Sequence, residues 1–172
     1  MKAFLGVCSF LVFVLHLTQG CPWMQHKFQQ YSKKYLILLE EMGGKVTEDS
    51  VGVHFPDELY KLAKKSEPER LSWFVAQVLE EVSELLDGDL EDADWDEKKV
   101  KDFMSTLDTQ LDGTLSCVGS KTRRNKRLHL YFKKLRNETL GKMEDKTQAW
   151  ELIRKEVYNH LRRVNHLASI HI

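Results

Sequence analysis

Turn-forming residues are scarce: the 172 residues include only nine Gly and three Pro. Sandwiches and barrels need a turn signal about every ten residues, so a many-stranded β fold is excluded and helices are expected. An excess of one charge is also missing. The 26 Lys and Arg balance 26 Asp and Glu, which argues against nucleic acid as a partner, since such binders are usually strongly basic. Catalytic signatures are absent. His26, His54, His129, His160, His166 and His171 form no H-E-x-x-H pair, and there is no C-x-x-C, Gly-rich phosphate loop or nucleophile elbow. The histidines read as helix-surface residues. A calcium loop begun at Asp87 places Asp92 where Gly is required and Lys98 where the bidentate Glu belongs. No enzyme activity, cofactor or metal is therefore expected.

Long apolar runs are missing except at the start. Lys2 precedes a nearly unbroken apolar stretch from Ala3 to Leu17, closed by Thr18-Gln19-Gly20. That layout reads as a secretory signal peptide over residues 1–20, cleaved after Gly20, the alternative being an uncleaved membrane anchor, for which the apolar run is short. It leaves residues 21–172 as one domain with 25 bases against 26 acids, secreted to the extracellular space, with no stretch left to insert in a membrane. Cysteine is nearly absent as well. Only Cys21 and Cys117 follow the leader; in an oxidising compartment the simplest outcome is one disulfide, the alternative being free or intermolecular thiols. Closing a loop that long contributes ~4–5 kcal/mol by chain entropy.

What the sequence does contain is helical periodicity. Phe28, Tyr31, Tyr35, Leu38, Leu39 and Met42 recur every three or four residues. The pattern predicts a helix over 22–42, with Pro22 in its first turn and Gly43-Gly44 after its end. Residues 43–65 read as a long overhand loop with at most one helical turn at 56–62. Helices follow at 67–86, capped by Ser66 with Glu69 three residues on, at 95–117 behind a cap pair of Asp94 and Glu97, at 122–139 and at 145–168. The last carries a stripe of Trp150, Ile153, Val157, Leu161, Val164 and Ala168. Five amphipathic helices on a chain this size predict an all-α bundle, and the long first loop lets neighbouring helices run parallel.

Charge is distributed unevenly along this pattern. Glu80–Glu97 holds ten acids and no base, and Lys121–Arg136 holds eight bases and no acid. The basic segment reads as a solvated face answering the acidic one, or as a surface for sulfated glycans or anionic membrane. Asn137-Glu138-Thr139 is a glycosylation sequon, placed ~200° round the helix from core Leu135 and so facing outward. On the last helix, Leu152, Lys155, Asn159 and Arg162 point away from the apolar stripe, with Tyr158 near them and Arg154 at the flank. Leu152 is then an apolar anchor on a polar face.

Several stretches together resemble the type I (alpha/beta) interferons, most of all the two-cysteine interferons of bony fishes. They are Cys21-Pro22-Trp23-Met24, Phe55-Pro56 in the first loop, Trp95 with Val100-Lys101-Asp102-Phe103 ahead of Cys117, Tyr131-Phe132, and Ala149-Trp150-Glu151-Leu152-Ile153-Arg154-Lys155-Glu156-Val157. The resemblance implies a cytokine-type five-helix bundle with an overhand first loop, and a Cys21–Cys117 bridge. It implies a secreted, antiviral ligand that joins two chains of a heterodimeric class II cytokine receptor and signals through the JAK-STAT route. One receptor chain would meet the first helix, the first loop and the last helix. Leu152, Arg154, Lys155, Tyr158, Asn159 and Arg162 are the expected contacts, with His54 and Phe55 in second rank. One departure is plain: the family often carries Cys just before Ala149-Trp150, paired to a Cys of the first loop, whereas this chain has Gln148 there and no Cys in 43–65. The rival readings are another helical cytokine and a cationic membrane-active protein using 121–136.

Overall fold

A computed structural model describes residues 21–88, 90–119 and 124–170. The expected signal peptide at 1–20 and the basic residues Lys121 and Arg123 lie outside them. Among the described residues every regular element is helical. We label them α1 (Pro22–His26), α2 (Phe28–Glu41), α3 (Asp57–Lys64), α4 (Pro68–Leu86), α5 (Glu97–Leu115), α6 (Lys126–Thr139) and α7 (Lys146–Ile170), with a 3-10 turn at Glu91–Ala93 between α4 and α5.

Several boundaries differ from the sequence reading, each for a local reason. The first helix breaks at Lys27, where φ stretches to −111° within the right-handed region, so Pro22–His26 stands apart. The first loop contains two turns of helix, α3, in place of one. Its Leu59, Tyr60 and Ala63 are buried, and that burial stabilises what propensity alone leaves marginal. Ser66 does not cap α4. Its hydroxyl donates to the Ala63 carbonyl at the end of α3, and α4 starts at Pro68, where a missing N–H costs nothing. The cap of α5 is Asp96, whose carboxylate accepts from the Lys99 N–H; Asp94 instead turns the chain in the left-handed region at φ 53°. Asn125 caps α6, accepting from Arg127 and Leu128, which moves that helix start from 122 to 126.

The bundle directions follow from cross-contacts. Gln29 reaches the Asn165 carbonyl while Arg154 reaches that of Leu39, so α2 and α7 are antiparallel. The Phe74 ring packs on Tyr60, which contacts His160, while Gly88 lies beside Trp150; α4 is thus antiparallel to α7 and parallel to α2. The overhand loop makes that parallel pair possible. The expected stripe of α7 is buried in full, and it meets Phe28, Tyr35, Leu39, Val75, Val78, Leu79, Val82, Phe103 and Leu107 in one core. Cys21 and Cys117 are bridged, with 5.3 Å between their Cα atoms, which holds α1 against the end of α5. The Trp23 indole lies on Gly113 so closely that a Cβ there would stand 2.0 Å from a ring carbon.

Candidate functional site

Helix α7 is the centre of the site, and it is more deeply embedded than its pattern suggests. The sequence placed Leu152 outward and Arg154 at the flank of that face; both are buried, with 5% and 1% of their surface exposed. The cause is the first loop. Gln148 Nε2 donates to Asp49 Oδ2 at 3.1 Å, and Lys155 Nζ donates to the Glu48 carbonyl at 3.0 Å and to that of Asp49. Residues 148, 152 and 155 share one helix face, so the strand of loop that Gln148 and Lys155 hold lies across Leu152. Where the resemblance leads one to expect a second disulfide at position 148, an amide–carboxylate hydrogen bond joins the same helix position to the same loop.

Arg154 is a clamp under that loop. Its Nε and Nη2 donate to the Glu151 carboxylate at 2.6–3.1 Å, its Nη1 to the Leu39 and Glu40 carbonyls at 3.0 and 3.3 Å, and its Nη2 to the Gly44 carbonyl at 2.6 Å. These are carbonyls from the end of α2 and just beyond it, which no helix turn satisfies. Glu151 is fixed in turn by the Trp95 indole N–H at 2.7 Å, and Trp95 packs edge-on to Trp150 with 5.8 Å between ring centres. Gly43 lets the backbone lie on this pair, since a Cβ there would stand 2.9 Å from Glu151 Oε1. Arg154 therefore has no free surface for a partner.

A second buried polar group sits nearly two turns further along α7. His160 was expected at the surface; it is wholly buried. Its Nδ1 lies 2.6 Å from the Tyr60 hydroxyl, and Phe55 and Phe132 flank its ring at 4.5 and 4.6 Å. Burial drives its pKa down to about 3, with help from the Arg163 charge, so the imidazole is neutral. Next to it, Tyr131 donates to Glu156 Oε2 at 3.3 Å, and burial raises the Glu156 pKa. Arg163 closes the group from outside. It lies over the Phe55 and Tyr60 rings at 5.3 and 5.9 Å and pairs with Asp57. Phe55 is thereby half-buried rather than free.

The accessible face lies between α2, α7 and the loop. Arg162 and His54 are exposed, and Lys155, Tyr158 and Asn159 are half-exposed. The Tyr158 hydroxyl faces the Glu40 carboxylate, whose influence and charge raise the Tyr158 pKa, so α7 meets the outer side of α2 here. Ile37, one turn before Glu40, is 53% exposed. Antiparallel packing sets it opposite the Tyr158 region. Sequence reading missed Ile37 because it fell between core positions on α2; an apolar residue off the stripe was the available signal. A shallow cavity of about 220 Å³ opens among Phe55, Asp57, Glu156, Asn159, Arg162 and Arg163. On the far side, Arg124 pairs with Glu81 and Glu84, and His129 lies 3.2 Å from Glu81. These groups bring two carboxylates and an imidazole together, but the guanidinium already occupies their centre. The arrangement as a whole is an accessible face of mixed polarity on a packed bundle.

The sequence of residues 24–171 matches the model of the interferon alpha/beta domain. The chain belongs to the interferon alpha/beta family. It is 39% identical over 166 residues to interferon a3 of Oncorhynchus mykiss, covering 96% of this chain and 93% of that one. Its fold matches zebrafish interferon 1 with a TM-score of 0.75 at 28% identity, covering 87% of this chain and 98% of that structure. As an interferon-type member it is a cytokine and not an enzyme, and the resemblance to fish interferons holds. No described helix is long and apolar enough to cross a membrane.

Proposed function

We propose that the chain is secreted after loss of residues 1–20, joins the two chains of a heterodimeric class II cytokine receptor, and induces antiviral genes through JAK-STAT signalling. The observation that carries this reading is the face formed by α2, α7 and the first loop. It carries an exposed apolar residue of α2, Ile37, one helix turn from the Glu40 that interacts with Tyr158, and on α7 and the loop the accessible Asn159, Arg162, Lys155 and His54. Such mixed surfaces concentrate binding energy in a few aromatic, apolar and Arg residues, and Arg162 can grip a receptor carboxylate bidentately. Leu152 and Arg154 act beneath this surface by shaping the loop, not by touching the receptor.

Ile37→Ala, Tyr158→Ala, Arg162→Glu and Lys155→Glu, each checked for an unchanged melt, test the face. At least one should lose ten-fold or more in receptor binding, about 1.4 kcal/mol. Wild-type binding by all four rejects this face. Release of dye from anionic liposomes by the disulfide-intact protein, without receptor dependence in cells, would favour the membrane-active reading instead. Sulfated glycans are a second partner class, supported by the cations of 121–136 that remain exposed.

A further inference from the structure

The basic residues around α6 divide into two sets with different roles. Arg124 is engaged by Glu81 and Glu84, and Arg136 donates to the Glu84 and Leu85 carbonyls. That set pins α6 to the acidic side of α4. Lys126, Arg127, Lys133 and Lys134 are all exposed and form no hydrogen bond or ion pair among the described residues. Glu58 acts electrostatically on Arg127 and Glu138 on Lys134, but these carboxylates are already bonded to Lys61 at 2.7 Å and to Lys142 at 2.8 Å. At 3.6 residues per turn, Lys133, Lys126, Asn137, Leu130, Lys134 and Arg127 fall in that order within roughly 120° of the helix circumference, over a length of ~16 Å. Asn137 is exposed, and it begins the sequon Asn137-Glu138-Thr139. It therefore stands inside the cationic stripe.

We propose that this stripe of α6 binds a sulfated polysaccharide chain, and that a glycan on Asn137 covers the stripe and blocks that binding. The inference rests on the reading of an extracellular cytokine with sulfated glycans as a second partner class. A row of unpaired cations along one helix face suits a linear polyanion lying lengthwise, where each neutralised cation releases bound counterions. An anionic bilayer fits less well. Leu130, 61% exposed, is the one large apolar group the stripe offers, because Leu128, Tyr131, Phe132 and Leu135 are locked in the core. A membrane-bound helix needs a wide apolar face to bury. A branched, hydrated sugar attached at Asn137 would occupy the volume above Lys133, Lys134 and Leu130.

The test compares disulfide-intact proteins on immobilised heparin and on vesicles one-third phosphatidylserine. They are the Asn137-glycosylated form from vertebrate cells, Asn137→Gln, Asn137→Gln with Lys126→Gln, Arg127→Gln, Lys133→Gln and Lys134→Gln, and Asn137→Gln with Lys27→Gln, Lys33→Gln, Lys34→Gln and Lys98→Gln as a charge-matched control of exposed lysines outside α6. Circular dichroism and melting confirm each fold. The bare protein should bind heparin, the α6 variant should weaken roughly ten-fold or more with a shallower salt dependence, and the control should change little. The glycosylated form should weaken toward the α6 variant. Equal binding by the α6 variant and its parent overturns the site, and equal binding by glycosylated and bare protein overturns the block. Tighter binding to vesicles than to heparin gives the stripe to membranes. Failure of the bare protein to bind heparin removes the sulfated-glycan partner itself, while receptor binding measured on the same samples reports separately on the cytokine reading.

Discussion

Replacing Arg154 by Ala separates a structural clamp from a receptor contact. The guanidinium is 1% exposed, and it bonds to the Glu151 carboxylate and to the carbonyls of Leu39, Glu40 and Gly44. Truncation leaves a carboxylate with 19% side-chain exposure and the end of α2 without their partner. Breaking a buried pair by removing one member typically costs 3–5 kcal/mol, most of it the penalty on the group left behind. A domain of roughly 150 residues shifts its melting point by about 2–4 °C per kcal/mol, so the variant should melt roughly 6–20 °C lower. Arg154→Lys should recover only part of this loss, because an ammonium cannot bond the carboxylate and the carbonyls along one planar fork. Adding Glu151→Gln to Arg154→Ala should restore some stability, since the stranded charge is then gone. Thermal and urea unfolding followed by circular dichroism give these values. Unchanged melting of Arg154→Ala together with loss of receptor binding would refute the clamp and restore Arg154 to the contact surface.

Three further outcomes follow from the packing and the buried histidine. Gly113→Ala should lower stability by about 1–3 kcal/mol by overpacking, although Ala favours helix by ~1 kcal/mol, because the Trp23 ring must leave its seat; a higher melting point would contradict that seat. Trp150→Ala should cost roughly 3–5 kcal/mol, since Trp150 is 5% exposed against Trp95, and an unchanged melt would show its burial to be idle. His160 has a folded pKa of about 3 against ~6.5 unfolded, so the unfolded state binds the extra proton between these values. Stability from His160 is fully present above pH ~6.5 and falls by up to about 1.4 kcal/mol per unit toward pH 3. The raised Glu156 pKa acts in the opposite sense. His160→Leu should therefore show a flatter decline than wild type in urea midpoints from pH 6.5 to 3.5, and parallel profiles would reject the neutral buried imidazole.

The fold was legible where one helix face meets the core. The stripe from Trp150 to Ala168 and the cores of α2, α4, α5 and α6 follow from apolar spacing. The glycines after α2 and the sequon on an exposed face were equally readable. What spacing could not show was that the overhand loop lies back over α7. Period 3.6 marks which face is apolar, but a polar face can also be covered when its polar groups find partners. Gln148, Arg154 and Lys155 do so through side chains and carbonyls of the loop and α2, and Leu152 is buried between them. His160 was missed for the same reason: its partners Tyr60 and Phe55 come from a hundred residues away. Of the expected receptor residues, Lys155, Tyr158, Asn159, Arg162 and His54 remain accessible, while Leu152 and Arg154 do not.

The central claim is that this chain acts as a ligand for a pair of receptor chains. Its most direct measurement is antiviral transcription in host cells treated with the purified, disulfide-bonded 21–172 protein, with each class II receptor chain deleted in turn. Wild-type cells should show induction at low concentration, lost on deletion of either chain of one pair. Induction that survives deletion of every such chain, or no induction by folded protein in cells that respond to another interferon, would contradict it.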